Sequence, residues 1–164
     1  HERRVARVSV AIGRLLELPP IRLAVLDLAA GIHDIGKLQV PKEVLHKQGT
    51  LTDEERAVVR RHAQHGHDAL ALLRSPFPIA EIVQQHHERV DGRGYPRGLV
   101  GRDLHLEAKI LSVADVYDAM ASARSYQPSR GAPDVAAELQ RIRGTQLDEA
   151  AKDPNSKVGS AYAA

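Results

Sequence analysis

The sequence predicts an all-α fold, and both its composition and its apolar spacing indicate this class. Aromatic residues are only 3% of the 164 residues while hydrophobic residues are 43%, so Leu, Val, Ile and Ala must build the core. Such a core favours close helix packing. Apolar residues recur at helical spacing from the start of the chain, first at Val5, Val8 and Ile12. A chain of this length has room for one compact domain.

The first two predicted helices lie on either side of "LPP" at 18–20. One helix covers 1–18 and stops there, because proline ends a helix readily and is also tolerated at the start of the next. The second helix runs over about 21–33, is largely buried, and ends near Gly36.

A connector over 37–51 separates these helices from the next one, and Pro41 is expected to open a short helical turn within it. Thr52 and Glu55 have the spacing of a capping box. A long helix is therefore predicted to begin at Thr52 and to continue towards Leu73, before "SPFP" ends it.

Three further helices are predicted over about 79–88, 106–122 and 134–143. Residues 1–148 are expected to form a single domain, and 149–164 a frayed or divergent tail that has little to pack. Because the chain starts without an initiator Met, we expect it to be a fragment of a longer multidomain protein.

Composition and charge exclude several classes of function. The formal net charge is +2 and the basic residues are spread along the chain, which is mildly compatible with an anionic substrate and says little about nucleic acids; we expect no long nucleic acid as partner. The longest apolar stretch is interrupted by Arg22 and Asp27 and is too short to span a bilayer. With no signal peptide either, we expect a cytoplasmic location. The absence of Cys excludes disulfides and thiolate metal sites.

Polar side chains occupy positions where helical periodicity requires apolar ones. These residues are His1, His33, His62, His86 and Asp115. Each one alone would be a core histidine bonded to a carbonyl group, or an aspartate that caps a neighbouring helix. Several unpaired polar groups in one small core would cost several kcal/mol, whereas a metal cluster satisfies all of them. Imidazole and carboxylate ligands without thiolate suit iron, manganese or zinc.

Two adjacent pairs suggest more than one metal. These pairs are "HD" at 33–34 and "HH" at 86–87. Neighbours on a helix diverge by about 100°, so the two members of a pair are not expected to point at one spot. They can serve two metals a few Å apart, with Asp34 bridging.

The motifs "HDIGK" at 33–37 and "HHERVDGRGYP" at 86–96 resemble the HD-GYP family, a branch of the HD superfamily of metal-dependent phosphohydrolases. The intervening "KQGTLTDEER" at 47–56 and the later "ADVYDAM" at 114–120 strengthen the resemblance, which covers about 1–148. It implies an all-helical HD-domain bundle with a GYP-type loop. It also implies hydrolysis of cyclic di-GMP to linear pGpG or GMP.

The resemblance implies a metal site and a substrate site. His33 and Asp34 match the defining metal-binding pair. The other matching metal ligands are His1, His62, His86, His87 and Asp115. These would hold two or three divalent metals, with Fe or Mn favoured and Zn as a third option. Lys37 matches the lysine that contacts substrate phosphate, and Arg124 matches a guanidinium that holds the ligand.

By this interpretation a metal-bridging hydroxide near Asp34 attacks phosphorus, and Lys37 stabilises the phosphoryl oxygens. The glycines and proline of the loop bring Tyr95 to the rim of the site, where its ring packs on a guanine or its hydroxyl binds a phosphate. Two alternatives remain open for this loop. Tyr95 merely fastens it to the core, or the loop docks a diguanylate cyclase domain, as the family is reported to do.

The chain departs from the family pattern after Arg124, where Ser125 and Gln127 replace a proline and a basic residue. Loss of the second cation should weaken phosphate binding, although Arg124 can still act as a bidentate clamp. Two alternative functions therefore stay open. One is an HD-type phosphohydrolase that acts on another nucleotide, and the other is a catalytically weak module that binds cyclic di-GMP or a protein.

Overall fold

A computed structural model describes residues 1–122, 131–142 and 144–145, and within them it contains helices and no strand. The α-helices are α1 Glu2–Leu15, α2 Pro20–Ile32, α3 Lys42–Leu45, α4 Asp53–Arg60, α5 His62–Ala71, α6 Ile79–Gln85, α7 Leu106–Ala121 and α8 Ala132–Ile142. Two short 3-10 turns, Ile35–Gln39 and Gly101–Asp103, join them. The predicted all-α class is confirmed. The predicted domain end at 148, the tail 149–164 and Arg124 lie outside the described residues.

The capping box is present as predicted, but the helix that it starts is shorter than expected. Thr52 Oγ1 accepts a hydrogen bond from the Glu55 amide at 3.2 Å, and the Glu55 carboxylate accepts one from the Thr52 amide at 2.7 Å. The prediction of one helix to Leu73 is wrong, because the chain turns at Arg61. No residue of α4 is fully buried, whereas α5 packs closely on α6 and on the first 3-10 turn, so tertiary contacts constrain α5 more than α4.

The bundle has one apolar core, formed mainly by α1, α2, α6, α7 and α8. Helix α1 packs on α2 and α7, α2 also contacts α6, and α8 lies against α7. Fully buried aliphatic side chains such as Val5, Leu26, Ile82 and Leu111 fill the interior. Each contributes about 1.5–3 kcal/mol relative to an exposed position. The core thereby fixes the ends of α1, α2 and α6 relative to one another, and the polar cluster lies at those ends.

Gly36 allows the first 3-10 turn to lie directly on α5. A Cβ atom at this position would collide with the carbonyl oxygen of His62 and would lie 2.5 Å from the amide nitrogen of Gly66. Backbone can approach backbone this closely only without a side chain. The contact brings Asp34 and Lys37, on either side of Gly36, towards the start of α5.

We expect Gly36→Ala to destabilise the protein by about 1–3 kcal/mol, because the added methyl group forces the turn away from α5. Urea unfolding followed by circular dichroism measures this change. Gly31→Ala is the matched control, because nothing lies within 4 Å of a Cβ there. Since Gly31 is within α2, that variant should be more stable by about 0.4–1 kcal/mol. Equal effects of the two substitutions would contradict the close contact at Gly36.

Candidate metal centre

Three histidines at helix ends share one hydrogen-bonding arrangement. His33 follows α2, His62 begins α5, and His86 follows α6; each side chain is only 1% exposed. In each ring Nδ1 contacts the carbonyl oxygen three residues earlier, at 2.8, 2.7 and 2.6 Å respectively. A carbonyl oxygen only accepts hydrogen bonds, so each Nδ1 carries the proton. In the neutral form of each ring, Nε2 then carries a free lone pair.

These lone pairs are buried without hydrogen-bond donors. The Nε2 atom of His33 is buried and has no hydrogen-bond partner among the described residues, and the Nε2 atoms of His62 and His86 face each other at 3.4 Å. Two unprotonated nitrogens cannot hydrogen-bond to each other, so this arrangement is unfavourable unless a cation lies nearby. Metal-binding histidines commonly donate their other ring N–H to a backbone carbonyl. The donor set therefore fits a metal.

The Asp34 carboxylate spans two of these imidazoles. Its Oδ1 lies 3.4 Å from Nε2 of His62, and its Oδ2 lies 3.5 Å from Nε2 of His33. The Lys37 ammonium group donates to Oδ2 at 2.5 Å. Burial opposes ionisation of Asp34, but His33 and Lys37 outweigh it and hold the pKa of Asp34 below its ordinary value. Asp34 is thus a carboxylate at neutral pH, and its two oxygens face two different imidazoles.

Two further carboxylates, those of Asp115 and Asp118, lie where α1 meets α7. His1 Nε2 is 3.2 Å from Asp115 Oδ1, and His1 Nδ1 is 2.8 Å from Asp118 Oδ2. The Arg4 guanidinium donates to both oxygens of Asp118, at 2.6 and 3.1 Å. Asp118 was not among the predicted site residues. Its position three residues after Asp115 on one helix face, within "ADVYDAM", is the signal that identifies it.

Protonation differs between the two ends of the cluster. Hydrogen bonding to Asp115 and Asp118 outweighs burial and raises the pKa of His1 to about 9, so this ring must release a proton before Nε2 can bind a metal. Burial, reinforced by neighbouring His33, lowers the pKa of His86 to about 4. Burial also lowers the pKa of His62, and that of His87 well below its ordinary value. These three rings are neutral at pH 7.

The structure brings all seven predicted metal residues into one connected cluster. Three groups have ligand atoms within 4.8 Å of one another: His33, Asp34 and His86; His62, His86 and His87; and His1, His33 and Asp115. Since His33 and His86 each belong to two groups, the groups adjoin. Shared members of this kind suit a multinuclear site.

The expectation that sequence neighbours cannot point at one spot is wrong for both pairs. His33 and Asp34 share one group, and His86 and His87 share another. The reason is that α2 ends at Ile32 and α6 at Gln85, so both members of each pair lie in the turn that follows the helix and not on its regular surface. The earlier end of α6 also corrects the predicted helix over 79–88.

Glu88, which the prediction placed within a helix, anchors the glycine-rich loop. Its carboxylate is buried and accepts hydrogen bonds from three backbone amides of the loop, those of Arg97, Gly98 and Leu99, at 2.7, 3.1 and 3.1 Å. Gly94 lies against the Glu88 backbone, where no Cβ atom fits. The loop is thus fastened directly beside His86 and His87.

Tyr95 lies against the histidine cluster. Its ring stacks on the His87 ring with centroids 4.8 Å apart, and meets the His62 ring edge-on at 6.4 Å. Burial raises the pKa of Tyr95, so its hydroxyl stays protonated at neutral pH. Tyr95 is half-buried, which leaves part of it accessible to a ligand. Lys37 is also partly accessible, with 40% of its side chain exposed.

The fold and this histidine–aspartate cluster define a helical domain with a candidate multinuclear metal centre. An HD domain family model matches residues 1–151, and the chain belongs to this family. The chain is similar to the cyclic di-GMP phosphodiesterase response regulator RpfG of Xanthomonas campestris, with 40% identity over 88% of the chain. It is also similar to 3'3'-cGAMP-specific phosphodiesterase 1 of Vibrio cholerae, with 36% identity over 82% of the chain. The resemblance to the HD-GYP branch is thereby confirmed.

The chain spans 39% and 31% of the lengths of these two relatives. Among solved structures, a protein described as HDG"Y"P from Bdellovibrio bacteriovorus has the same fold, with a TM-score of 0.74 and 22% identity. That match covers 99% of this chain and 50% of the other. Within the described part of the chain, no helix is both long and apolar enough to cross a bilayer.

We expect Asp118→Ala to weaken metal binding about 10- to 100-fold, because His1 loses the carboxylate that orients its ring. Competition with a calibrated chelator measures the affinity. Asp103→Ala is the matched control, since it deletes the same charge from an exposed position in the second 3-10 turn. If the two variants bind metal equally well, Asp118 does not position His1.

Proposed function

We propose that this domain is a metal-dependent phosphodiesterase that hydrolyses cyclic di-GMP to linear pGpG or GMP. The observation that carries the proposal is the connected cluster of seven histidine and aspartate residues with its buried, donor-free Nε2 atoms. The similarity to RpfG, a cyclic di-GMP phosphodiesterase response regulator, supports cyclic di-GMP as the substrate. The loop that places Tyr95 on His87 supports a nucleotide ligand, because an aromatic ring can stack on a base.

The seven residues would hold two or three divalent metals. Imidazole and carboxylate ligands without thiolate favour Fe or Mn, with Zn as a third option. When bound, such metals supply activation of water near neutral pH and neutralisation of phosphate charge. Asp34 would belong to both halves of the cluster, because its two oxygens face different imidazoles.

The remaining tasks fall to side chains at the edge of the cluster. The positively charged ammonium group of Lys37 lies beside Asp34, where it would stabilise phosphoryl oxygens. Tyr95 offers a ring face and a protonated hydroxyl to the substrate. The neutral imidazoles of His62 and His86 present lone pairs at pH 7 without competition from protons.

A second candidate substrate is another cyclic dinucleotide. The similarity to a 3'3'-cGAMP-specific enzyme favours this alternative, because both substrates contain two phosphodiesters and differ in one base. Comparing kcat/KM for cyclic di-GMP and 3'3'-cGAMP on one metal-loaded preparation decides between them. The predicted docking of a diguanylate cyclase domain on the glycine-rich loop remains a prediction.

Asp34→Ala is expected to abolish metal binding and hydrolysis together, because the variant removes the only carboxylate that contacts both His33 and His62 among the described residues. Elemental analysis and a cyclic di-GMP hydrolysis assay on one sample measure both properties. Full activity in this variant would overturn the assignment of the site. Retained binding of cyclic di-GMP by a wild-type protein that never turns it over would favour a binding module instead.

Lys37→Ala is expected to leave the metal content unchanged and to reduce kcat about 10²–10³-fold. Loss of one group that stabilises the transition-state charge has an effect of this size in other enzymes. The reason is that Lys37 contacts Asp34 through its ammonium group but offers no lone pair to a metal while charged. The same two assays apply. Loss of metal from this variant would mean that the role of Lys37 is to hold Asp34 in place.

A further inference from the structure

We propose that Arg60 binds the second phosphate of the cyclic dinucleotide, the phosphodiester that is not being cleaved. This inference rests on the proposed function and adds a specificity-determining residue to it. Arg60 is the last residue of α4 and precedes His62 by two positions. Helical periodicity in the sequence selected polar residues that lie on apolar faces, and Arg60 is not among them. In the structure no residue of α4 is fully buried.

The guanidinium group of Arg60 lies over the Tyr95 ring, which borders the histidine cluster. Its central carbon is 5.2 Å from the centroid of the Tyr95 ring, a cation–π contact. Tyr95 stacks in turn on His87. A continuous series of contacts therefore leads from the exposed Arg60 side chain, through Tyr95, to the candidate metal ligands.

Within the described ranges, no carboxylate forms an ion pair with Arg60. Asp53, the acidic residue on which the Arg60 charge acts, is held by Arg56 at 2.7 Å instead. Lys37 differs in this respect, because its ammonium group is already bound to Asp34. Arg60 thus presents a cation whose charge is not neutralised, beside a ring that holds it in place.

The geometry of a guanidinium group suits this task. Its flat face can rest on an aromatic ring while its N–H edge binds two oxygens of one phosphate. A cyclic dinucleotide carries two phosphodiesters, and only one can lie at the metal cluster during hydrolysis. The other must lie outside the cluster, where Arg60 is placed to receive it.

A contact to the phosphate that does not react is made equally in the ground state and the transition state. Its removal therefore raises KM and leaves kcat unchanged. Arg60 is exposed to solvent, which weakens a charge-assisted hydrogen bond, so its removal has a moderate effect. An increase in KM of about tenfold is therefore expected.

The test compares Arg60→Met with Arg61→Met on metal-loaded protein. The two variants lose the same charge at adjacent positions, and the contact with the Tyr95 ring belongs to Arg60. We expect Arg60→Met to raise KM for cyclic di-GMP about tenfold with kcat and metal content preserved, and Arg61→Met to match wild type within about twofold. Arg60→Lys should restore part of the affinity, because it keeps the charge without the fork.

A substrate with one phosphate distinguishes two effects of the Arg60 substitution: loss of binding to the second phosphate, and disturbance of the metal site. For bis(4-nitrophenyl) phosphate, Arg60→Met should change kcat/KM by less than about twofold, because this diester has no second phosphate. Equal KM values for the two variants on cyclic di-GMP would overturn the inference. A parallel loss of kcat on both substrates would also overturn it, and would show that Arg60 acts by holding Tyr95.

Failure of the proposed function is distinguishable from failure of this inference. If the wild-type protein turns over neither substrate, calorimetric binding of cyclic di-GMP to metal-loaded protein replaces the kinetic assay. Binding that is about tenfold weaker in Arg60→Met than in Arg61→Met supports the role of Arg60 in a domain that binds without hydrolysis. Equal binding by both variants, or no binding by the wild type, overturns it.

Discussion

The hydrogen bonds from three imidazole Nδ1 atoms to helix-end carbonyls determine what this site can do. They fix the tautomers of His33, His62 and His86 and turn each Nε2 lone pair into the protein interior. The carbonyl oxygens lie in the last turn before each histidine, where helix carbonyls commonly need other partners. The Nδ1 hydrogen bonds therefore give the backbone carbonyls a partner and, at the same time, leave each Nε2 atom as a buried acceptor. Only a hydrogen-bond donor or a cation can satisfy such an acceptor.

Charge balance follows from this arrangement. Neutral imidazoles and the Asp34 carboxylate occupy one side of the cluster, and the carboxylates of Asp115 and Asp118 occupy the other. In the metal-free chain, protonated His1 and Lys37 supply the positive charge that these carboxylates need. A bound metal would take over that charge and release the proton of His1, which makes metal binding dependent on pH.

Much of this organisation follows from sequence patterns. Helical spacing identified His1, His33, His62, His86 and Asp115 as polar residues on apolar faces, and the structure places all of them at one cluster. His87 and Asp34 came from the family resemblance and from pair spacing. What the sequence did not predict depends on tertiary contacts. The break at Arg61 separates the weakly packed α4 from the closely packed α5, and the convergence of adjacent pairs reflects where α2 and α6 end. The contacts of Glu88 and Asp118 join segments that periodicity cannot relate.

Metal stoichiometry tests the central claim most directly. The protein should be purified anaerobically, stripped with a chelator and titrated with Mn²⁺ or Fe²⁺, with bound metal determined by elemental analysis. If the buried Nε2 atoms are metal ligands, at least about two metals will bind per chain, as a multinuclear hydrolase site requires. A folded protein that binds no metal under these conditions would contradict the account. The imidazoles whose Nε2 atoms meet no hydrogen-bond donor would then have a purely structural role.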